Sequence, residues 1–205
     1  VYGGLAGVTV KTAIQMGVAR GIFSNEAGLG SAPIAAATAK TKEPVRQGLV
    51  TMTGTFIDTI VVCTMTGLSI ILTGSWELAV DGTLKGAAVT TEAFTRGLPF
   101  NNSVCAFLLM ICLMFFAFTT ILGWDYYSER CLQYLVGDRK GVLMVYKILY
   151  IAAVLIGPYL TISAVWTTAD IFNGLMAIPN LIALVSLSGV AAAETRKFVR
   201  EHKKK

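Results

Sequence analysis

Arg20-Gly-Ile-Phe-Ser-Asn-Glu-Ala-Gly-Leu-Gly-Ser-Ala-Pro33 is a polar, glycine-bearing stretch with apolar chain on both sides. Upstream is a segment rich in Gly, Ala and Val; downstream, past a short basic run, lies a long apolar one. Gly28 and Gly30 permit a positive φ or a close backbone approach. Ser24 or Asn25 is placed to cap a helix beginning near Glu26. The plainest reading is a loop joining two membrane helices. A phosphate cradle is not expected, because no Gly-Lys-Ser/Thr follows the glycines.

Composition agrees with a membrane setting. The 205 residues are 55% hydrophobic and only 14% charged, and the mean hydropathy is +0.67. A soluble domain carries roughly a quarter charged residues. About 20 apolar residues cross the hydrocarbon core as a helix, and several windows reach that length. The net charge of +5 does not point to nucleic acid, since the cations sit in loops and the tail and form no stripe interleaved with aromatics. Cys63, Cys105, Cys112 and Cys131 lack metal-ligand spacing and read as small apolar packing residues. The fold class expected is therefore an all-α membrane protein.

Working outward, residues 5–23 read as a partial helix, punctuated by small residues that let membrane helices approach closely. Lys11 within it either snorkels or faces a polar cavity. A loop covers 24–46. Spans are expected near 47–73, 103–124, 142–165 and 171–193, followed by a tail at 194–205. A polar segment, 74–102, links the first two spans, and a basic loop, 125–141, follows the second. Gly157-Pro158 interrupts the third, where the proline removes a backbone donor and predicts a kink. Asp170, just ahead of the last span, reads as its N-cap.

Charge asymmetry gives an orientation. If 24–46 faces the cytoplasm, alternation places 125–141 and the tail there too. Lys85 and Arg96 then lie opposite, and Lys11 and Lys147 lie within spans. The other 13 of the 17 Lys and Arg residues share one side, which the positive-inside rule makes cytoplasmic. A multi-pass protein of the inner (plasma) membrane with a cytoplasmic C-terminus is expected.

Few residues here can carry chemistry. Asp58 lies about 11 residues, or roughly 17 Å, into its span, where an ionised carboxylate costs several kcal/mol unless paired or hydrated and is a functional candidate by default. Its structural alternative is a bond to Thr55, Thr59 or Lys11. Thr119 and Thr120 offer neutral hard oxygens of the kind sodium takes; the alternative is a bond back to the i−4 carbonyl. Trp124 lies one turn beyond Thr120 on the same face, as an interfacial anchor or as a wall of a substrate site shared with Thr120. Asp125, Tyr126 and Tyr127 are read as structural. A Ser-His-acid hydrolase is excluded, because the single histidine, His202, sits in the tail.

Two blocks carry a resemblance. The opening stretch, continued by Lys40-Thr-Lys-Glu-Pro-Val-Arg-Gln-Gly48, and the block Phe118-Thr-Thr-Ile-Leu-Gly-Trp-Asp-Tyr-Tyr-Ser-Glu-Arg130 resemble the alanine/glycine:cation symporters. The resemblance covers nearly all of this chain but only the C-terminal part of a full-length carrier. The earlier helices of the same carrier are thus expected as missing partners. It implies a leucine-transporter-type inverted-repeat (LeuT) fold, of which 1–205 is one transmembrane fragment. It also implies symport of small neutral amino acids, alanine and glycine, with Na+ or H+ as coupling ion and no other cofactor. Backbone amides of the first and sixth core helices would meet the substrate carboxylate. The resemblance places sodium ligands at Thr119, Thr120 and the carbonyl of Phe116. The glycine content and uncompensated polar residues of Arg20–Ala32 separately predict an inner gate there, ordered against the cytoplasmic ends of the spans, with Arg20, Asn25 and Glu26 in it and Asp58 as a further candidate. A membrane-embedded enzyme using Asp58 and Glu26, or a structural membrane subunit, are the alternatives. The enzyme lacks a nucleophile–base pair and has its carboxylates at different depths.

Overall fold

The computed structural model describes residues 2–203. Among them the ordered elements are helical: α1 (Tyr2–Ser24), α2 (Ala32–Ala36), α3 (Pro44–Phe56), α4 (Thr64–Leu72), α5 (Ser75–Val80), α6 (Ala87–Gly97), α7 (Asn102–Val136), α8 (Lys140–Ile156) and α9 (Ile162–His202). A π-helical segment, Ile57–Cys63, joins α3 to α4 without a break. Among the described residues, four stretches are long and apolar enough to cross a membrane: Pro44–Leu72, Asn102–Val136, Lys140–Tyr159 and Ile162–His202.

Their apolar faces are open. Phe116, Leu72 and Val185 are 68%, 82% and 75% exposed, and the buried hydrophobic residues described are Leu29, Val89, Ala93, Cys105 and Leu143. A water-soluble monomer rarely exposes apolar patches beyond a few hundred Å². Helices satisfy their backbone polar groups internally, so lipid tolerates such faces and water does not. The chain is an all-α membrane protein.

Several boundaries differ from those read in the sequence. The polar link 74–102 holds α5 and α6. The basic loop 125–141 is helical as far as Val136, so Arg130 sits on a helix. At Gly157-Pro158 the chain does not kink; α8 ends at Ile156 and one 3-10 turn, Gly157–Tyr159, follows. Pro158 cannot donate to the carbonyl of Val154. A new helix then starts at Ile162, where Thr161 Oγ1 accepts from the amide of Ala164 at 3.3 Å. Thr161, not Asp170, is therefore the N-cap, and Asp170 lies two turns inside α9. Glu194–His202 continue α9 beyond its apolar part.

The chain divides into two compact units, with boundaries inside α3 and α7. One contains residues up to Thr53 and from Tyr127 onward; the other is Gly54–Tyr126. In the second, α6 packs against α4 and α5. Val89 and Ala93, one turn apart, are buried there, as is Ser75, whose hydroxyl lies 2.9 Å from that of Thr73. In the first, Lys147 of α8 reaches Glu129 of α7 at 3.1 Å, which accounts for a cation inside a span.

Candidate functional site: an α1–α9 clasp and a threonine pair on α7

In the first unit, α1 ends in a turn built around an unusual residue. Glu26 has φ +50°, the left-handed region that non-glycine residues seldom occupy. Its amide donates to the carbonyl of Phe23 at 3.3 Å, and the amide of Ala27 donates to Ile22 at 3.1 Å. These two bonds are the Schellman pattern, with Glu26 where glycine is preferred. Ser24 and Asn25 thus do not open a helix as the sequence suggested. The Asn25 side-chain amide donates to the carbonyl of Gly21 at 3.1 Å and helps close α1.

The Glu26 carboxylate accepts from Ser31 Oγ at 2.7 Å, and Ser31 is only 2% exposed. Its observed partner is a hydroxyl of its own loop, not the backbone donor or loop cation that a polar loop residue suggests. Between them, Gly28 and Gly30 adopt φ +76° and +86°, and Leu29 is buried. A Cβ on Gly30 would lie 3.0 Å from Asn180 Oδ1, and one on Gly28 3.4 Å from Leu181 Cδ2. The loop is therefore seated on α9.

One helical turn before the loop, Arg20 meets Asp170 through two N–H···O bonds of 3.2 and 3.1 Å. Its guanidinium carbon lies 3.9 Å from the centre of the Trp166 ring, and Phe23 meets that ring edge-on at 5.5 Å. Trp166 and Asp170 are one turn apart on α9, as Arg20 and Phe23 nearly are on α1. Arg20 is thus held by a planar ion pair and a ring face together, which a lysine cannot reproduce. Sequence reasoning missed Trp166, Asp170, Ser31 and Asn180. The available signal was i,i+4 spacing of Trp166 and Asp170, with an acid in an apolar run opposite an uncompensated Arg20.

The second unit holds the other candidates. Asp58 lies in the π-helical segment, half-buried. Such one-turn irregularities leave the i→i−4 ladder and recur at functional sites. On α7, Thr120 Oγ1 donates to the carbonyl of Phe116 at 2.8 Å. Thr119 Oγ1 lies 3.0 Å from both the Phe115 and the Phe116 carbonyls. Thr119, Thr120 and the Phe116 carbonyl thus form a three-oxygen cluster in which both hydroxyls are bonded back to the helix. Trp124, half-buried, follows one turn later. Of the residues singled out from sequence, Arg20, Asn25 and Glu26 fall in the first unit, and Asp58, Phe116, Thr119, Thr120 and Trp124 in the second.

Comparison with known proteins covers the whole of this arrangement. The family model of the sodium:alanine symporter family matches residues 1–205. An uncharacterized transporter of Haemophilus influenzae is 57% identical over 201 residues, which is 98% of this chain and 42% of that protein. A sodium/alanine symporter, AgcS, of Methanococcus maripaludis is 50% identical over 192 residues, 94% of this chain and 41% of its own length. A probable sodium/glutamine symporter, GlnT, of Bacillus subtilis is 38% identical over 198 residues, 97% and 40% respectively. The chain spans about two fifths of the length of these relatives. No solved structure matches it. Because the match runs through α1, the glycine loop, the α7 threonines and α9 alike, the chain belongs to the sodium:alanine symporter family, a family of membrane transporters and not of enzymes.

Proposed function

We propose that this chain is the C-terminal part of a secondary carrier that brings a small neutral amino acid, alanine or glycine, across the membrane with sodium or a proton. The observation that carries the reading is the clasp between α1, its glycine loop and α9. A strained loop and an ion pair lie within apolar helices, in a chain matched throughout to a symporter family. The names of the relatives support alanine over larger substrates, since the one named for alanine is more similar than the one named for glutamine.

In this reading the architecture is of the leucine-transporter type, with substrate and ion bound near the bilayer midplane where helices are interrupted. Thr119, Thr120 and the Phe116 carbonyl ligate sodium, Trp124 limits the size of the substrate side chain beside Thr120, and Arg20, Asn25 and Glu26 belong to an inner gate. The gate reading is supported by the opposing properties of the loop. Its hydrogen bond and the Arg20–Asp170 pair hold it closed, while the left-handed φ of Glu26 stores strain of about 1 kcal/mol that opening would release. The test is uptake of labelled alanine into vesicles bearing the full-length carrier, with and without a sodium gradient. Uptake that rises with an inward sodium gradient is expected. Accumulation independent of both sodium and proton gradients would sink the coupling.

A further inference from the structure

The polar end of α9 is not explained by carrier function. We infer that the face Ala193, Arg196, Lys197 and Arg200 of α9 is a headgroup site for an anionic phospholipid. With Glu201 these residues line a shallow, open depression along α9 alone, and all five are exposed, so three cations stand there against one carboxylate. Arg196 and Arg200 stand one turn apart, with Cβ atoms about 5–6 Å from each other, close enough for both to reach one phosphate. Arginine forks suit that contact, since their paired donors match phosphate oxygens.

The level of the site along α9 fits a lipid. Ala193 closes the apolar run, so the basic face begins where acyl chains end and headgroups start. Glu194, Lys197, Phe198 and Glu201 also share a small depression with Lys42, Glu43, Pro44 and Val45, and Pro44 is the first residue of a stretch long and apolar enough to cross a membrane. Two elements therefore reach the membrane surface at this height. On that second side Lys42 and Lys197 stand against Glu43, Glu194 and Glu201, so acids outnumber cations by one. The excess of positive charge lies on the Arg196–Arg200 face.

Two plainer accounts fail to cover these residues. Cations in the last helical turn complement the backbone dipole, but that effect fades within one turn. It covers Arg200 and Lys203 and leaves Arg196 and Lys197 unexplained. A general excess of inside-facing charge sets orientation during insertion, yet it requires no two arginines one turn apart on the same helix face. A juxtamembrane cluster of this kind attracts anionic lipid at about a five-fold gain in affinity per cation.

The experiment titrates phosphatidylglycerol and phosphatidylcholine into the full-length carrier in a neutral detergent and reads bound lipid by native mass spectrometry. The parent should prefer phosphatidylglycerol. Arg196→Gln with Arg200→Gln should weaken that lipid roughly 30-fold. Arg139→Gln with Lys140→Gln, an equal loss of charge elsewhere, should change it less than about two-fold. Equal losses in the two double variants would overturn the site in favour of bulk charge, and so would a parent with no headgroup preference. Should the arginine variant fail to fold, salt decides on the parent alone. Phosphatidylglycerol binding that does not weaken with rising ionic strength overturns the inference.

Discussion

Arg20 and Asp170, 150 positions apart in the chain, join α1 to α9 through two nearly parallel bonds of 3.2 and 3.1 Å under the Trp166 ring. The pair is partly exposed, 36% and 49% by side chain, and an exposed ion pair in water is worth only about 0–1 kcal/mol. Planar bidentate geometry and the ring contact place this one at the upper end. Arg20→Gln and Asp170→Asn should each destabilise the folded chain in detergent, and the double variant little more than either alone. The expected coupling is about 1 kcal/mol. Arg20→Lys should recover less than half, because neither fork nor stacking survives. Strictly additive effects in thermal unfolding would show that the contact is incidental.

Glu26 allows stability and turnover to be separated. Glycine at a left-handed position removes strain of about 1 kcal/mol. Glu26→Gly alone also leaves the buried Ser31 hydroxyl without its charged partner, a bond worth about 1.5–3 kcal/mol. It should therefore destabilise the turn, whereas Glu26→Gly with Ser31→Ala should recover most of that loss. If the Glu26–Ser31 bond is the loop's closing contact, Glu26→Gly and Ser31→Ala should each slow uptake, and the double variant should stay slow despite its recovered stability. Transport by Glu26→Gly at the parental rate would reduce Glu26 to a helix terminator.

The two loop glycines should not respond alike. At Gly30 a methyl group meets both the +86° φ and the Asn180 side chain at 3.0 Å; at Gly28 it meets the +76° φ and only an ordinary contact with Leu181 at 3.4 Å. Gly28→Ala should cost about 1 kcal/mol, the backbone component alone. Gly30→Ala should cost roughly 1–2 kcal/mol more, and Asn180→Ala should restore that excess and nothing further. Equal losses at the two glycines, measured by thermal unfolding, would mean that α9 does not seat the loop.

How much of this was legible in the chain depends on the range of the signal. Apolar length is a local property, and the spans it predicts near 47–73 and 103–124 begin within a turn or so of the first residues of the apolar helical stretches Pro44–Leu72 and Asn102–Val136. Helix ends were less legible. The change from apolar to polar at Asp125 predicts a helix end there, yet the membrane boundary is not where backbone hydrogen bonding stops, and α7 runs on to Val136. The proline at 158 was recognised, but sequence does not say whether a freed carbonyl kinks a helix or ends it. Asp170 falls at a helix start only if the break lies near 165; with the break at Gly157–Tyr159 it lies inside α9. The π-helical turn around Asp58 left no trace in composition, since it depends on one extra residue in the ladder.

Orientation has a direct check. The positive-inside pattern predicts Lys85 and Lys203 on opposite sides of the membrane, Lys203 in the cytoplasm. In a background without reactive cysteines, Lys85→Cys should label with an impermeant maleimide from outside intact cells, and Lys203→Cys only after lysis. Both labelling from the same side would reverse or abolish the topology.

The last prediction concerns the oxygens on α7. In the structure Thr120 Oγ1 is committed to the Phe116 carbonyl at 2.8 Å, and Thr119 Oγ1 sits 3.0 Å from the same oxygen. Sodium ligation requires each hydroxyl proton to turn away, leaving three oxygens to converge on the ion. A bond to a charged partner contributes about 1.5–3 kcal/mol, so Thr120→Val should raise the half-saturating sodium concentration roughly 10- to 100-fold. Valine keeps the shape, and loss of a hydroxyl that merely bonds back to i−4 changes helix stability little. Thr120→Ser restores the oxygen and should recover most of the affinity, while Trp124→Ala should alter the size of side chain accepted instead. Substrate affinity at saturating sodium should stay near the parental value in the valine variant if sodium alone is lost. A joint loss of sodium and alanine affinity would place Thr120 against the substrate as well. Parental sodium dependence in both the Val and Ser variants would remove these hydroxyls from the ion site and move the search to Asp58 and its π-helical turn.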